Sequence, residues 1–163
     1  PDDNRIKGLI LSSPYFGNAI KVPAVLQSLA GVMARLAPKM KVPLEDFTPN
    51  LTHDPAIYER HRQDEKDHVR ATQASVRFAY ELTEAQQKLA GPFKRWGYPL
   101  FAAVAGDDRL ADHKVAEKML KSIDPRLLSY HFYPDNFHEN FNEVNREQIF
   151  GEIDQWLGNR LGL

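Results

Sequence analysis

Residues 98–112 have the sequence YPLFAAVAGDDRLAD, which combines an apolar run with a loop rich in aspartate. Its first part, residues 98–105, is a short apolar run closed by Gly106, which is typical of a buried β-strand that enters a loop. Two further runs of this kind, each closed by a proline-containing breaker, are residues 6–11 and residues 127–133. The sequence therefore predicts three buried strands.

The segments after the second and third strands have helical periodicity. Apolar residues recur at helical spacing over residues 115–123, so the chain runs strand, helix, strand, which is typical of a right-handed parallel crossover. A second apolar face, over residues 149–157, predicts a C-terminal amphipathic helix. We therefore predict an α/β fold with parallel strands and crossover helices.

The stretch between the first and second strands has a different pattern. Apolar residues at helical spacing run from Val22 to Leu36, Asp54-Pro55 resembles a helix cap, and residues 71–89 are free of proline and rich in helix formers. We predict an all-helical cap or lid over residues 18–92, inserted into a core formed by residues 1–17 and 93–163. The apolar stripe consists of Val22, Val25, Leu26, Leu29, Met33 and Leu36.

The composition excludes several classes of protein. With 42% hydrophobic and 26% charged residues among 163, the chain is typical of one globular domain and not of a disordered or fibrous protein. Lys and Arg number 21 against 22 Asp and Glu, so no nucleic-acid partner is expected. The absence of cysteine excludes disulfides, thiol catalysis and cysteine-ligated metals.

The sequence contains no targeting or membrane signal. No apolar run reaches the roughly 18 to 20 residues that span a bilayer, so no integral membrane segment is expected. Nothing near the N-terminus resembles a signal peptide, and we expect a cytoplasmic protein. The chain starts with Pro1-Asp2-Asp3 and no initiator Met, and we expect a piece of a longer protein.

Carboxylates follow the second strand, and a histidine follows the third. Asp107, Asp108 and Asp112 lie in the first of these loops, and His138 lies in the second. Because α/β sheets place active sites at the carboxyl ends of parallel strands, we expect the two loops to leave the same edge. A carboxylate there would hold the imidazole in the tautomer that a general base needs. Each loop taken alone is also consistent with a structural turn.

A second group of titratable residues does not predict a site. Its histidines and carboxylates alternate with basic residues, which favours a solvated, salt-bridged helix face over a metal centre. We therefore expect neither a metal nor a cofactor. The group consists of His61, Asp64, Glu65 and His68, with Arg60, Arg62, Lys66 and Arg70 around them.

Three segments in order resemble the later part of the α/β-hydrolase fold. They are residues 8–14 (GLILSSP), 106–112 (GDDRLAD) and 133–139 (YPDNFHE). Within that fold they resemble the monoacylglycerol lipase and lysophospholipase group, also described as serine aminopeptidase-like, and the similarity includes the cap and the trailing Asn142-Glu143. The resemblance implies that Asp108, just before Arg109, is the acid of a catalytic triad and that His138 is its base.

The nucleophile of that family is missing from this chain. The family places its serine first, in a Gly-x-Ser-x-Gly elbow, and neither this pentapeptide nor a His-Gly oxyanion loop occurs here. The resemblance therefore implies the C-terminal half of a hydrolase, with negligible esterase activity alone. Its first strand would have an unpaired edge that recruits the N-terminal half or a second copy. The serines outside such a motif are Ser12, Ser13, Ser28, Ser75, Ser122 and Ser129.

Three functions remain open at this point. The leading hypothesis is a serine ester hydrolase for lipid-like substrates, completed by an upstream half. The second is a non-catalytic binding or interaction module that retains the fold. The third replaces the serine with an upstream aspartate nucleophile, as in epoxide hydrolases and dehalogenases. In the first case the stripe over residues 22–36 would face an acyl chain or a membrane surface, although such stripes also pack on cores.

Overall fold

The computed structural model describes residues 5–21 and 23–161. Two short 3-10 helices, Thr48–Asn50 and Asn140–Asn142, accompany the regular elements. In chain order these elements are β1 (Leu9–Ser12), α1 (Ala24–Leu36), β2 (Lys41–Pro43), α2 (Pro55–Lys66), β3 (Gln73–Ser75), α3 (Val76–Phe93), β4 (Leu100–Ala105), α4 (His113–Leu120), β5 (Leu128–Tyr133) and α5 (Arg146–Leu161).

A parallel sheet with the strand order β1-β4-β5 forms the centre of the fold. Leu100, at the start of β4, lies opposite Leu9 of β1 on one side and Leu128 of β5 on the other. Every residue of β4 is buried. Both faces of this strand are therefore covered, which explains its uninterrupted apolar sequence. The three predicted strands are confirmed, although each begins slightly later than predicted.

Successive residues of β4 face opposite sides of the sheet, so this strand contributes to two cores. One core lies between the sheet and α4, and the other lies between the sheet and α5. The two predicted helices thus cover opposite faces and fix the sheet from both sides. The first core contains Phe93, Leu100, Ala102, Val104, Met119, Leu120 and Ile123, and the second contains Phe101, Ala103, Tyr133, Ile149 and Trp156.

The segment between β1 and β4 contains a small sheet, so the prediction of an all-helical insertion is wrong. β2 and β3 pair antiparallel, with Val42 opposite Ala74. The helix predicted over residues 71–89 starts instead at Val76, where Ser75 Oγ accepts the Phe78 N–H at 3.1 Å. Strands of three residues are too short to show the alternation of apolar and polar residues that reveals a strand in a sequence.

The remaining helices of the insertion begin as predicted or nearly so. Asp54 caps α2 by accepting the N–H groups of Ala56 and Ile57, and Pro55 is the first helical residue. α1 packs against α3, and Tyr80 of α3 contacts the helix at Gly31. No helix in the part of the chain that the structure describes is both long and apolar enough to cross a membrane.

The outer face of α1 is apolar and exposed. Val25 and Leu36 are each 78% exposed, and Leu29 and Val32 are more than half exposed, whereas Ala34 is buried. The predicted stripe therefore does not simply pack on the core. Val22, at its start, lies outside the described residues.

Candidate active site

The loops that follow β4 and β5 meet at the carboxyl edge of the sheet. The Gly106 N–H donates to Tyr133 O at 2.8 Å, and the Asp107 N–H donates to Asn136 O at 3.1 Å. A Cβ atom on Gly106 would lie 2.6 Å from the Cα of Pro134, which is closer than real Cβ atoms approach backbone. Only glycine fits at this crossing of the two loops.

Asp108 and His138 are in direct contact at this edge. Asp108 Oδ2 lies 2.8 Å from His138 Nδ1. The other oxygen of the carboxylate, Oδ1, accepts the N–H groups of Leu110 at 2.8 Å and Ala111 at 2.9 Å. The carboxylate is 2% exposed and the imidazole 23% exposed. The arrangement favours a proton on Nδ1 and leaves Nε2 as the basic nitrogen.

The other two carboxylates of the same loop have different partners. Asp107 Oδ1 lies 3.0 Å from Arg109 Nε, and the Arg109 side chain is exposed while that of Asp107 is partly exposed. Asp112 caps α4 by accepting the N–H groups of Lys114 and Val115. Of the three carboxylates in the loop, Asp108 alone contacts His138 in the described structure.

Tyr15, from the loop after β1, stands beside this pair. Its ring meets the His138 ring edge-on, with 6.4 Å between centroids. Burial, and secondarily the negative charge of Asp108, raises the pKa of the Tyr15 phenol above its ordinary value. The Tyr15 hydroxyl is therefore neutral at physiological pH and adds no charge to the site.

A buried network of amides holds the histidine loop against the sheet. Asn140 is fully buried, and its Nδ2 donates to Ser13 Oγ at 2.9 Å and to Ala103 O at 3.1 Å. Its Oδ1 accepts from Asn136 Nδ2 at 2.9 Å, and Asn136 exchanges a further pair of bonds with Asn145. Sequence reasoning missed Asn136 and Asn140, because asparagine is an ordinary loop residue and because two partners of Asn140, Ser13 and Ala103, are distant in the chain.

The insertion is docked on the same loop by several polar contacts. Glu139, which follows His138, donates its N–H to Leu51 O at 2.9 Å, and its side chain lies 2.8 Å from His61 Nε2. Thr52 Oγ1 donates to Asn142 O at 2.7 Å. The segment before α2 and α2 itself therefore contact the loop that carries His138. Among the described residues no group of histidines and carboxylates has the geometry of a metal site, and His61 pairs with Glu139.

No serine hydroxyl is hydrogen-bonded to His138 among the side chains that the structure describes. One serine does contact another histidine, since Ser129 Oγ lies 3.0 Å from His131 Nε2 and His131 Nδ1 lies 2.8 Å from Glu152 Oε2. Tyr133 also donates to that Glu152 oxygen. Ser129, His131 and Tyr133 are alternate residues of β5, and Glu152 belongs to α5, so this set lies along the face of the sheet that α5 covers and not in the loop that carries His138.

The sheet and its loops define the class of protein. The structure of the monoacylglycerol lipase from Paleococcus ferrophilus matches with a TM-score of 0.83 at 18% identity, over 96% of this chain and 60% of that one. A soluble variant of the Saccharomyces cerevisiae monoglyceride lipase, solved with a substrate analog, matches with a TM-score of 0.75 at 20% identity, over 96% and 57%. The fold is therefore that of the α/β-hydrolases, as predicted.

Within this class the chain belongs to the family described as serine aminopeptidase, S33, whose model matches residues 1–145. It is 31% identical to the phospholipase YtpA of Bacillus subtilis (strain 168) over 147 residues, which cover 90% of this chain and 56% of that protein. It is 23% identical to a monoacylglycerol lipase of Mycolicibacterium smegmatis over 154 residues, or 94% and 54% of the two chains. The chain thus spans little more than half the length of these relatives.

Proposed function

We propose that Asp108 and His138 are the acid and base of a serine ester hydrolase whose nucleophile lies outside this chain. The observation that carries the proposal is the 2.8 Å contact between Asp108 Oδ2 and His138 Nδ1. This contact is the one that a catalytic triad requires, because the buried carboxylate orients the imidazole and leaves its Nε2 free to accept a proton.

The reaction follows from the properties of this pair. His138 Nε2 takes the serine proton as the serine oxygen bonds to the ester carbonyl carbon, and the carbonyl oxygen becomes an oxyanion. Asp108 stabilises the imidazolium, which then protonates the departing alcohol oxygen as the carbon–oxygen bond breaks. Water then attacks the acyl carbon of the resulting acyl-enzyme while His138 accepts its proton. The bond between that carbon and the serine oxygen breaks, His138 returns the proton to the serine oxygen, and the carboxylic acid leaves. Donors for the oxyanion have to come from the same missing part of the site.

The nucleophile in this proposal belongs to an N-terminal half that pairs with β1. β1 is the terminal strand of its sheet, and its outer edge has no strand partner in the described part of the chain. An unpaired parallel strand presents a row of backbone N–H and C=O groups to another strand. In the alternative, the outer edge of β1 pairs with the same edge of a second copy of this chain.

The proposed substrates are carboxylic esters of lipid-like molecules. The names of two relatives, a phospholipase and a monoacylglycerol lipase, favour this class. So does the exposed apolar face of α1, which includes Val25, Leu29 and Leu36 and suits an acyl chain or a lipid surface. In this proposal the insertion over residues 18–92 acts as the lid of the site.

A second candidate is a non-catalytic interaction module with the hydrolase fold. The observation that favours it is that no described serine contacts His138. An aspartate nucleophile supplied upstream would leave the same geometry. A serine-directed label distinguishes these two alternatives from the leading proposal. The leading proposal requires a labelled serine nucleophile, and neither the non-catalytic module nor the enzyme with an aspartate nucleophile has one.

Replacement of His138 tests the proposal in the full-length protein that carries this chain. His138→Ala removes the only proton acceptor in the relay, so we expect ester hydrolysis to fall by about a thousandfold or more. The measurement is the steady-state hydrolysis of a monoacylglycerol, with circular dichroism to check the fold. His131→Ala is the matched control, because His131 also pairs with a carboxylate. Full activity of His138→Ala, or loss of activity in His131→Ala alone, would contradict the assignment.

A further inference from the structure

Glu143 is a buried carboxylate that the proposed reaction does not use. The residue is fully buried, and its side chain is 1% exposed. A buried carboxylate is costly unless its oxygens are satisfied by donors. In the described part of the chain the only side chain that pairs with it is that of His53, and no lysine or arginine side chain does.

The donors to Glu143 come from three separate segments. Oε1 lies 2.8 Å from the Phe137 N and 3.0 Å from His53 Nδ1. Oε2 accepts the His53 N–H at 3.2 Å and the Val144 N–H at 3.2 Å. One carboxylate therefore joins the histidine loop, the start of the insertion's second helix and the turn before α5.

The contact with Phe137 bears directly on the base. The Phe137 amide belongs to the residue immediately before His138, so a bond to it fixes the backbone from which the imidazole projects. The Phe137 ring also stacks on the His53 ring, with 3.7 Å between centroids and 25° between planes. The base is thus held at two points, at its ring by Asp108 and at its backbone by Glu143.

We propose that Glu143 is a positioning residue for His138 and that, through His53, it ties the location of the insertion to that of the base. The inference rests on the proposed function for its effect on turnover, while the contacts themselves are independent of it. A base displaced from the reacting atoms slows the chemical step more than it weakens substrate binding. Loss of Glu143 should therefore change kcat more than KM.

Glutamine at this position has the size of glutamate, but its NH2 group replaces one of the two acceptor oxygens with a donor. If its amide oxygen took the place of Oε1, its NH2 group would face the N–H groups of His53 and Val144. In the flipped orientation, the NH2 group would face the Phe137 N–H. In either orientation at least one N–H that bonds to the carboxylate of Glu143 loses its acceptor, so E143Q separates the role of the carboxylate from that of its volume.

The test compares E143Q, His53→Ala and E147Q in the full-length protein. Glu147 is exposed and lies in the first turn of α5, so E147Q is a matched control. We expect E143Q to lower kcat by about 10- to 100-fold with KM nearly unchanged, and His53→Ala to lower kcat less. E147Q should leave both constants at the wild-type values. A folded E143Q with wild-type kcat would overturn the proposal.

A second readout does not depend on ester hydrolysis. In E143Q we expect faster hydrogen exchange at the Phe137 amide and loss or broadening of the His138 Nδ1 proton signal in NMR spectra. If E143Q does not fold, the same measurements are made on His53→Ala. Hydrogen exchange at the Phe137 amide and a kcat that are both unchanged in His53→Ala would then overturn the proposal.

The two readouts also distinguish the failure of the two proposals. If the wild-type protein hydrolyses no ester but both NMR changes occur, the proposed function fails and the positioning role stands. If the wild type is active but E143Q alters neither exchange nor kcat, the positioning role fails and the function stands.

Discussion

At the scale of single residues, hydrogen bonding separates three carboxylates that share one loop. Asp107 pairs with the exposed Arg109, Asp112 caps α4, and Asp108 lies buried against His138. The sequence alone leaves all three as candidates, because Asp is common in turns and the contact with His138 depends on another loop. The resemblance to the family selects Asp108, and the geometry supports this choice.

Replacement of Asp108 by Asn should impair the relay without removing its hydrogen bond. An amide NH2 donates to His138 Nδ1, which favours the tautomer protonated on Nε2, and that nitrogen then has no lone pair for the serine proton. We expect kcat of the full-length protein to fall on the order of 10⁴-fold in Asp108→Asn.

The matched control is Asp107→Asn, which alters the neighbouring carboxylate that faces Arg109. Its kcat should stay within about twofold of the wild type. Equal losses in the two variants, measured in the same steady-state assay, would show that the loop as a whole matters and not the contact between Asp108 and His138.

At the scale of elements, the structure shows which parts of the fold were predictable. β4 has an apolar sequence because both of its faces are buried, and α4 has its apolar residues on one face, so local patterns predict both elements. β2 and β3 contain three residues each and form only because they pair with each other. Such pairing between distant segments leaves no pattern in the local sequence. The environment of Glu143 depends on His53 and Phe137 together, so the sequence alone does not predict the positioning role that we propose for it.

The crossing of the β4 and β5 loops leads to a prediction about stability. In Gly106→Ala the new Cβ would overlap the backbone of Pro134, and we expect a loss of about 2 kcal/mol or more in the free energy of unfolding. Gly151→Ala is the control, for which we expect an equal or higher free energy of unfolding. Its Cβ would meet no atom within 4 Å, and alanine favours the interior of α5 by up to about 1 kcal/mol.

Equilibrium urea unfolding, followed by tryptophan fluorescence, measures both changes. We expect Gly106→Ala to be less stable than the wild type and Gly151→Ala to be at least as stable. A Gly106→Ala variant of unchanged stability would mean that the two loops do not pack as closely as the structure indicates.

At the scale of the whole molecule, two features support the proposed N-terminal half. His138 has no serine beside it among the described side chains, and the outer edge of β1 has no strand partner in the described part of the chain. The chain also spans little more than half the length of the phospholipase and lipase relatives reported above. A segment that supplies both a strand and a nucleophile would complete the sheet and the site together.

Reaction of the full-length protein with a fluorophosphonate, followed by peptide mass mapping of the labelled residue, tests whether the nucleophile lies outside residues 1–163. We predict a single labelled serine outside residues 1–163 and loss of labelling in His138→Ala. A label on Ser129 or on another serine of this chain, or no labelled serine in an active protein, would contradict it.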